Sequence, residues 1–169
     1  MDIQQAISTR RSIRKYTGEP VSEEQIKAVI RAGTYAPSAH NGQPWRFVVV
    51  RDAGMLEKIA AFHPYGKMAP QAGCAIIVCG DEAAQPADKF LGQDCGACIE
   101  NMLLSAHGLG LGTVWCGLHP VKRLTTAFGE WLKLPEGIIP IGMVVIGHSA
   151  ETREVKERYD AQKVHWETW

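Results

Sequence analysis

The sequence predicts one domain of the α/β or α+β class, and three observations support this prediction. The chain has 169 residues, of which 46% are hydrophobic and 21% charged, as is typical of a globular protein with one core. Apolar runs of strand length alternate along the chain with segments of helical period. A longer stretch, residues 88–109, carries an apolar stripe at helical spacing and predicts a central, buried helix. We therefore expect a single domain over residues 1–169.

The first half of the chain predicts three helices and two strands. Residues 2–9 form a short first helix. Ser22 and Gln25 have the spacing of a capping box, which predicts a helix over residues 22–34 that Pro37 ends. Two buried strands are expected in this half, at residues 46–50 and 74–79. A short helix is expected between them, near residues 55–61.

Glycines and a proline mark the boundaries of the helices in the second half. Gly110 and Gly112 stop the helix over residues 88–109, because glycine favours helix C-termini. Pro120 is expected at a first-turn position of a further helix, where its missing N–H costs no hydrogen bond. This helix separates the last two predicted strands, near residues 113–116 and 141–147.

Composition excludes several classes of function. The 18 basic and 18 acidic residues give a net charge of zero, which argues against a broad nucleic-acid surface but not against a site for one small anion. The longest nearly apolar run contains Pro140 and is too short to span a membrane. The start of the chain has no signal-peptide pattern, and the five cysteines are scattered through apolar stretches. We therefore expect a cytoplasmic protein with reduced thiols.

A cluster of positive charge follows the first predicted helix. Residues 10–16, which we call the basic segment, contain four cations and one serine hydroxyl. Arginine provides forked, permanently charged donors and serine adds one more, a combination that suits a phosphate group. A solvated basic turn is the alternative, and the segment by itself leaves both interpretations open.

A polar loop precedes the first predicted strand. Residues 36–45, which we call the polar loop, read Ala-Pro-Ser-Ala-His-Asn-Gly-Gln-Pro-Trp. Its two prolines stiffen the backbone, and Ser38, Asn41 and Gln43 provide donors and acceptors that suit a flat heterocycle. A well-formed turn without a ligand is the alternative.

Two further patterns lack the context that their functional versions need. The glycines of residues 108–112 close a helix and open a strand, whereas a dinucleotide fingerprint follows a strand and opens a helix. Cys95 and Cys98 lie inside the central helix without a second ligand pair, which favours core cysteines over zinc or redox chemistry. The sequence contains no P-loop and no nucleophile elbow. Its six histidines show no paired spacing, so we expect no metal site.

The C-terminal tail, residues 149–169, is rich in charge yet carries two tryptophans in its last four positions. Two exposed indoles reduce solubility and chain ends fray unless they are held, so we expect the tail to be covered. It either docks on its own domain or lies across a second subunit.

Taken together, these motifs resemble those of the FMN-dependent nitroreductase family. Residues 10–14 of the basic segment and residues 37–45 of the polar loop are similar to the two signatures of that family. The central helix with its Gly-Leu-Gly exit and residues 113–117 continue the match, as do Ile146-Gly147-His148 and the later Lys156 and Arg158. The resemblance covers nearly the whole chain, in family order, and is to the short, single-domain branch.

The resemblance implies a fold and an assembly. The fold is α+β, a nitroreductase-like mixed sheet flanked by helices around a long central helix. The assembly is a homodimer in which C-terminal arms are exchanged between subunits, and FMN lies at the subunit interface. This favours a tail that lies on the partner subunit.

The resemblance also implies which residues bind FMN. Arg14 would face the N1/C2 carbonyl edge of the flavin, where a cation stabilises the negative charge that reduction builds up. The residues implied to hold the phosphate are Arg10, Arg11, Ser12, Lys156 and Arg158. Those implied to contact the flavin from the other subunit are Pro37, Ser38, Ala39, Asn41 and Gln43. Those implied to lie at the flavin edge or near N5 are Lys67, Trp115, Cys116 and Gly117.

The function implied is that of an FMN-dependent oxidoreductase. It would use NADH or NADPH to reduce nitroaromatics, quinones or similar small molecules in a ping-pong cycle. Because FMN carries the chemistry, no catalytic side chain is assigned. The expected partners are a second copy of the chain and a small-molecule acceptor, with no nucleic acid and no membrane. The alternatives are a protein that stores or senses FMN without turnover, and a relative that dehalogenates its substrate or fragments flavin.

Overall fold

A four-stranded sheet forms the middle layer of the protein. The computed structural model describes residues 1–86 and 89–169. The strands are β1 (Trp45–Val50), β2 (Ala75–Asp81), β3 (Gly112–Gly117) and β4 (Ile138–Gly147). They lie in the order β1-β2-β4-β3, and each neighbouring pair is antiparallel. The expected α+β class is confirmed.

The expectation of a mixed sheet needs a correction. All three strand pairs are antiparallel, and the parallel contribution is an isolated bridge between Ser12 and Thr113 at the β3 edge. The parallel bridge arises because the basic segment runs beside the outer edge of β3. The sheet is therefore antiparallel in its four strands and parallel only at this added edge.

Helices cover both faces of the sheet. They are α1 (Ile3–Thr9), α2 (Glu23–Gly33), α3 (Ala53–Phe62), α4 (Ala69–Ala72), α5 (Leu91–Gly108) and α6 (Lys122–Trp131), with short 3-10 turns at Ala39–Asn41 and Ala161–Lys163. The predicted capping box is present, because Ser22 Oγ accepts from Gln25 N while Gln25 Oε1 accepts from Ser22 N. No helix in the described parts of the chain is long and apolar enough to cross a membrane.

Alternation along the strands divides the core into two parts. In β2, Ile76 and Val78 join the cluster formed with α2 and α5, whereas Ile77 and Cys79 join the cluster formed with α3, α4 and α6. Strand β2 is thus buried on both faces. On the first face α2 lies close to α5, since a Cβ at Gly33 would be 2.8 Å from Met102 Cγ. A rigid two-sided core therefore supports the segments at the sheet edges.

Several predicted boundaries move in the structure. The central helix is present at Leu91–Gly108, while the predicted start at residue 88 lies outside the described residues. Pro120 is not in the first turn of α6, because Val121 caps that helix and Pro120 belongs to the preceding turn. Helix α4 was not predicted, since four residues are too few to show a period. The five cysteines are free and buried, as expected.

Candidate functional site

The basic segment runs along the free edge of β3. Ile13 N donates to Thr113 O at 2.8 Å, and Ser12 bridges to the same residue. A Cβ at Gly112 would lie 2.8 Å from the Ile13 side chain, so the close approach requires glycine there. Tyr16 is buried and donates its hydroxyl to Ile13 O at 2.7 Å. These contacts hold the backbone of the segment in place.

The basic segment and the C-terminal tail together line an open groove of about 650 Å³, which we call the basic groove. The two segments are far apart in sequence and meet only because β4 ends beside the segment. Five cations and two carboxylates line the basic groove. Together with one serine, the lining residues are Arg11, Ser12, Arg14, Arg153, Glu154, Lys156, Glu157 and Arg158. The excess of positive charge suits an anion such as a phosphate.

The cations of the basic groove differ in how they are held. Arg11 is anchored, because its Nη1 donates to Ser8 O and Arg10 O and its Nε donates to Glu154 O at 3.1 Å. Its Nη2 is buried without a hydrogen-bond partner in the part of the chain that the structure describes. Within those same residues, the side chains of Arg14 and Arg158 are exposed and make no hydrogen bond or ion pair. The basic groove thus holds donors that are free for an anion.

Arg10 does not line the basic groove. Its Nε lies 3.3 Å from Glu100 Oε1 on α5, with the guanidinium side chain 19% exposed. It lines a neighbouring cavity of about 330 Å³, which also contains His107. Burial, together with the nearby Arg10 and Arg11 cations, lowers the pKa of His107, whose Nε2 lies 2.8 Å from Thr9 Oγ1. The phosphate role implied for Arg10 stays a prediction.

The polar loop has a strained backbone. His40, Asn41 and Gln43 all have positive φ, at 53°, 54° and 47°. Ser38 Oγ accepts from Gln43 N at 3.0 Å, and the buried Asp94 carboxylate accepts from Ala39 N at 3.1 Å. These bonds hold the strained turns against α5.

The predicted flavin contacts of the polar loop do not line the basic groove of the same chain. Pro37, Ser38 and Ala39 line a separate cavity of about 330 Å³ against α5. Asn41 and Gln43 bond to each other through their side-chain amides at 3.0 Å. Such a separation is compatible with the expectation that these residues serve the site of a partner subunit, which stays a prediction.

The end of β3 presents an aromatic side chain beside a small cavity. Trp115 is 41% exposed, and with Gly117 and His119 it lines a cavity of about 300 Å³. A Cβ at Gly142 would lie 2.5 Å from Trp115 Nε1, so β4 needs glycine where the indole crosses it. Lys67, the other residue predicted for the flavin edge, is exposed in the turn before α4. Among these predicted residues, the structure brings Trp115 and Gly117 together.

A network that the sequence did not predict supports this strand end. His63 is buried, its Nε2 lies 3.0 Å from Gly117 O, and its Nδ1 accepts from Tyr65 N at 3.1 Å. Cys116 Sγ donates to Tyr65 O at 3.2 Å. Burial raises the pKa of Cys116 to about 11, so this cysteine is a thiol at neutral pH and not a nucleophile. A lone histidine and a lone cysteine show no pattern that sequence analysis could detect.

The C-terminal tail stays exposed beyond its first residues. Trp166 is 82% exposed and Trp169 is 99% exposed, and the ring of Trp169 stacks on the ring of His165 with their centroids 4.2 Å apart. The tail is therefore not docked on its own domain at its aromatic end. The described residues contain no group of three or more His, Cys, Asp or Glu side chains arranged to hold a metal ion.

Comparisons with known proteins agree with the motifs and the fold. The model of the nitroreductase family matches residues 7–63 and 62–148. A protein of Methanothermobacter thermautotrophicus, provisionally named NADH dehydrogenase/NAD(P)H nitroreductase, is 42% identical over 169 residues, covering 100% of this chain and 88% of that protein. The FMN reductase [NAD(P)H] of Bacillus subtilis is 30% identical over 187 residues, covering 99% of this chain and 74% of that protein.

Solved structures show the same fold. The crystal structure of a protein from Desulfovibrio desulfuricans, provisionally described as a nitroreductase in complex with FMN, has a TM-score of 0.87. It is 34% identical, and the match covers 100% of this chain and 98% of that chain. The chain therefore belongs to the nitroreductase family, and the resemblance seen in its motifs is confirmed.

Proposed function

We propose that the protein is an FMN-dependent oxidoreductase that uses NADH or NADPH to reduce nitroaromatics, quinones or similar small molecules. Membership of the nitroreductase family supports the class of enzyme, as do relatives named NAD(P)H nitroreductase and FMN reductase. The single observation that supports the cofactor most directly is the basic groove, in which two segments distant in sequence provide five cations.

The basic groove fits the phosphate of FMN in charge and in donors. Arg11 has a buried, unpartnered Nη2, which an anion would satisfy. Ser12 adds a hydroxyl from a backbone that is bridged to β3. Lys156 and Arg158 reach the same groove from the tail, and their charges would neutralise a phosphate dianion. These four residues would hold the phosphate, with Arg10 joining them if it leaves Glu100.

When bound, FMN supplies the chemistry, which is hydride transfer from a reduced nicotinamide followed by two-electron transfer to the acceptor. Arg14 would stabilise negative charge on the reduced ring at the N1/C2 carbonyl edge. The backbone of Trp115, Cys116 and Gly117 would approach the ring near N5, and the exposed Lys67 its edge. The high pKa of the Cys116 thiol agrees with a reaction that needs no protein nucleophile.

We propose that the working unit is a homodimer with exchanged tails. The exposed aromatic residues of the tail need a cover that their own domain does not provide, since Trp166 and Trp169 are solvent-exposed. In such a dimer the polar loop of one chain, with Pro37, Ser38, Ala39, Asn41 and Gln43, would complete the site whose phosphate lies in the basic groove of the other. A functional site would then need both copies of the chain.

A spectrum tests the proposed function. Protein purified with FMN is expected to be yellow, and NADH or NADPH is expected to bleach it under anaerobic conditions. Steady-state rates with a quinone or nitroaromatic acceptor should give the parallel double-reciprocal lines of a ping-pong cycle. If FMN binds tightly but neither nicotinamide is consumed over repeated turnovers, the protein stores FMN instead. If FMN does not bind, the proposal is wrong.

A further inference from the structure

Glu151 lies where the tail leaves β4, and its carboxylate binds the backbone of the basic segment. Its Oε1 accepts from Arg14 N at 2.6 Å and from Lys15 N at 3.2 Å. Its Oε2 forms an ion pair with Arg153 at 2.8 Å, and the Glu151 side chain is only 12% exposed. A carboxylate that accepts two consecutive backbone amides makes charge-assisted hydrogen bonds, which are stronger than neutral ones.

Backbone bonds join the same two parts of the chain on one side of Glu151. Thr17 N donates to His148 O at 2.9 Å, and Ala150 N donates to Lys15 O at 2.9 Å. Tyr16 and Ser149 form an antiparallel bridge between them. This backbone pairing stops at Lys15, and the Glu151 carboxylate continues the connection to Arg14. Beyond that point the basic segment and the tail are joined by the Arg11 side chain, which donates to Glu154 O.

Glu151 therefore lies at the junction between the two halves of the basic groove. Arg14 belongs to the groove lining on one side, and Lys156 and Arg158 follow on the tail within a few residues. A carboxylate this close to an anion site would repel the anion if it acted by charge alone. Here its charge is compensated by Arg153 and by two N–H groups, so its main effect is on the relative position of the two segments.

We propose that Glu151 is a positioning residue for phosphate binding, because it joins the basic segment to the tail and so brings Arg11 and Ser12 together with Lys156 and Arg158. The inference rests on the proposed function, since it concerns the phosphate of FMN. It assigns a role in anion binding to a residue that is itself negatively charged and does not line the basic groove. If Glu151 acts through its charge alone, its removal strengthens anion binding. If Glu151 positions the two segments, its removal weakens anion binding.

Flavin titrations of three variants test this role. Glu151→Ala is expected to raise the Kd for FMN about 10- to 100-fold, the effect of losing charge-assisted hydrogen bonds that organise a site. Glu151→Gln keeps an acceptor for Arg14 N–H and is expected to raise the Kd by a smaller factor. The comparison for charge alone is Glu154→Gln, which removes an exposed carboxylate of the same groove, paired with Lys156 at 3.3 Å, and is expected to tighten FMN binding.

Riboflavin, which lacks the phosphate, separates positioning of the groove from general damage. The Kd for riboflavin is expected to rise by a smaller factor than the Kd for FMN in Glu151→Ala, because riboflavin keeps the ring that Arg14 would face but lacks the phosphate. It is expected to be unchanged in Glu154→Gln. If Glu151→Gln tightens FMN binding as Glu154→Gln does, charge dominates and the inference is wrong. It is equally wrong if Glu151→Ala weakens FMN and riboflavin by the same factor, or leaves both unchanged.

Limited trypsin digestion of the flavin-free protein provides a readout that does not depend on the proposed function. Cleavage after Arg153, Lys156 and Arg158 is expected to be several-fold faster in Glu151→Ala than in wild type, while Glu154→Gln is cleaved at the wild-type rate. Equal cleavage rates in wild type, Glu151→Ala and Glu154→Gln would show that Glu151 does not hold the tail to the basic segment. Wild-type protein that binds no FMN would instead refute the proposed function, and the digestion would still decide whether Glu151 holds the tail.

Discussion

The two halves of the basic groove are held in different ways. The basic segment is attached to its own domain, with Ile13 bonded to β3 and Tyr16 buried beneath it. Within residues 1–86 and 89–169, the hydrogen bonds that join the tail to the basic segment lie near the start of the tail, at Ala150, Glu151 and Glu154, and its aromatic end is exposed. One half of the proposed anion site is therefore organised by the fold, whereas the other half depends on the junction at Glu151 and on the surface that covers the tail.

The largest expected effect comes from removing the part of the tail that its own domain does not hold. Deletion of residues 160–169 is expected to convert a dimer into a monomer and to release FMN, because the tail then cannot cover a partner. Size-exclusion chromatography with light scattering and the flavin absorbance of the eluted protein measure both effects. A truncated protein that stays dimeric and yellow would show that the tail is not exchanged.

Substitutions of single cations compare Arg158, which lines the basic groove, with Arg10, which lines the neighbouring cavity. Arg158→Ala is expected to weaken FMN binding by about 1.5–3 kcal/mol, the value of a charge-assisted hydrogen bond. Arg10→Ala is expected to weaken it less, because Arg10 must first give up its ion pair with Glu100. Fluorescence titration with FMN measures both. Equal losses would mean that Arg10 contributes as fully as Arg158, and no loss in either would contradict the assigned phosphate site.

A glycine in β4 tests how firmly the fold holds the basic segment. A Cβ at Gly147 would lie 2.8 Å from Tyr16 Cδ1 and 3.0 Å from Ala72 O. Gly147→Ala is therefore expected to lower the free energy of unfolding by about 1–3 kcal/mol and to displace Tyr16. Urea denaturation measures the change.

Gly129 provides the matched control for this variant. It lies in α6, and within the described residues no atom outside its chain neighbours and the adjacent backbone of its own helix would be within 4 Å of its added Cβ. Gly129→Ala is expected to be neutral or to stabilise by about 0.5–1 kcal/mol, because alanine favours a helix interior. A loss of stability in Gly129→Ala as large as in Gly147→Ala would show that crowding under Tyr16 is not the cause.

The smallest expected effect is the pH dependence of the junction. Hydrogen bonds from the backbone of Arg14, and then the Arg153 charge, hold the pKa of Glu151 below its ordinary value of 4.5. The charged form is thus favoured in the folded protein. Its stabilisation is complete above the unfolded-state pKa and is lost as the pH falls through the lower folded-state pKa.

Thermal unfolding of wild type and Glu151→Gln checks this dependence. Wild type is expected to unfold at a higher temperature near pH 7, and the difference is expected to vanish at a pH below the folded-state pKa of Glu151. Glu154→Gln, which removes an exposed carboxylate, serves as the control and should show little difference at either pH. A difference for Glu151→Gln that persists unchanged in acid would mean that its charge is not involved.

The sequence predicted most of the elements because their signals are local. The capping box of Ser22 and Gln25 acts within one helical turn, and the apolar runs of β1 and β2 lie within a few residues. Pro120 was assigned to the wrong turn, since its neighbours along the chain do not show where the helix begins. The roles of Glu151 and His63 could not be predicted, because each depends on contacts with residues far away in sequence.

Composition, spacing and ordered motifs were sufficient to predict the family, the α+β class, the central helix, the basic segment and the charged tail. Which of the cations share a groove could be seen only in the folded chain. Arg11, Ser12 and Arg14 meet Lys156 and Arg158, while Arg10 turns to Glu100. These cations meet because of the path of the chain through the sheet, in which β4 ends beside the basic segment that runs along β3.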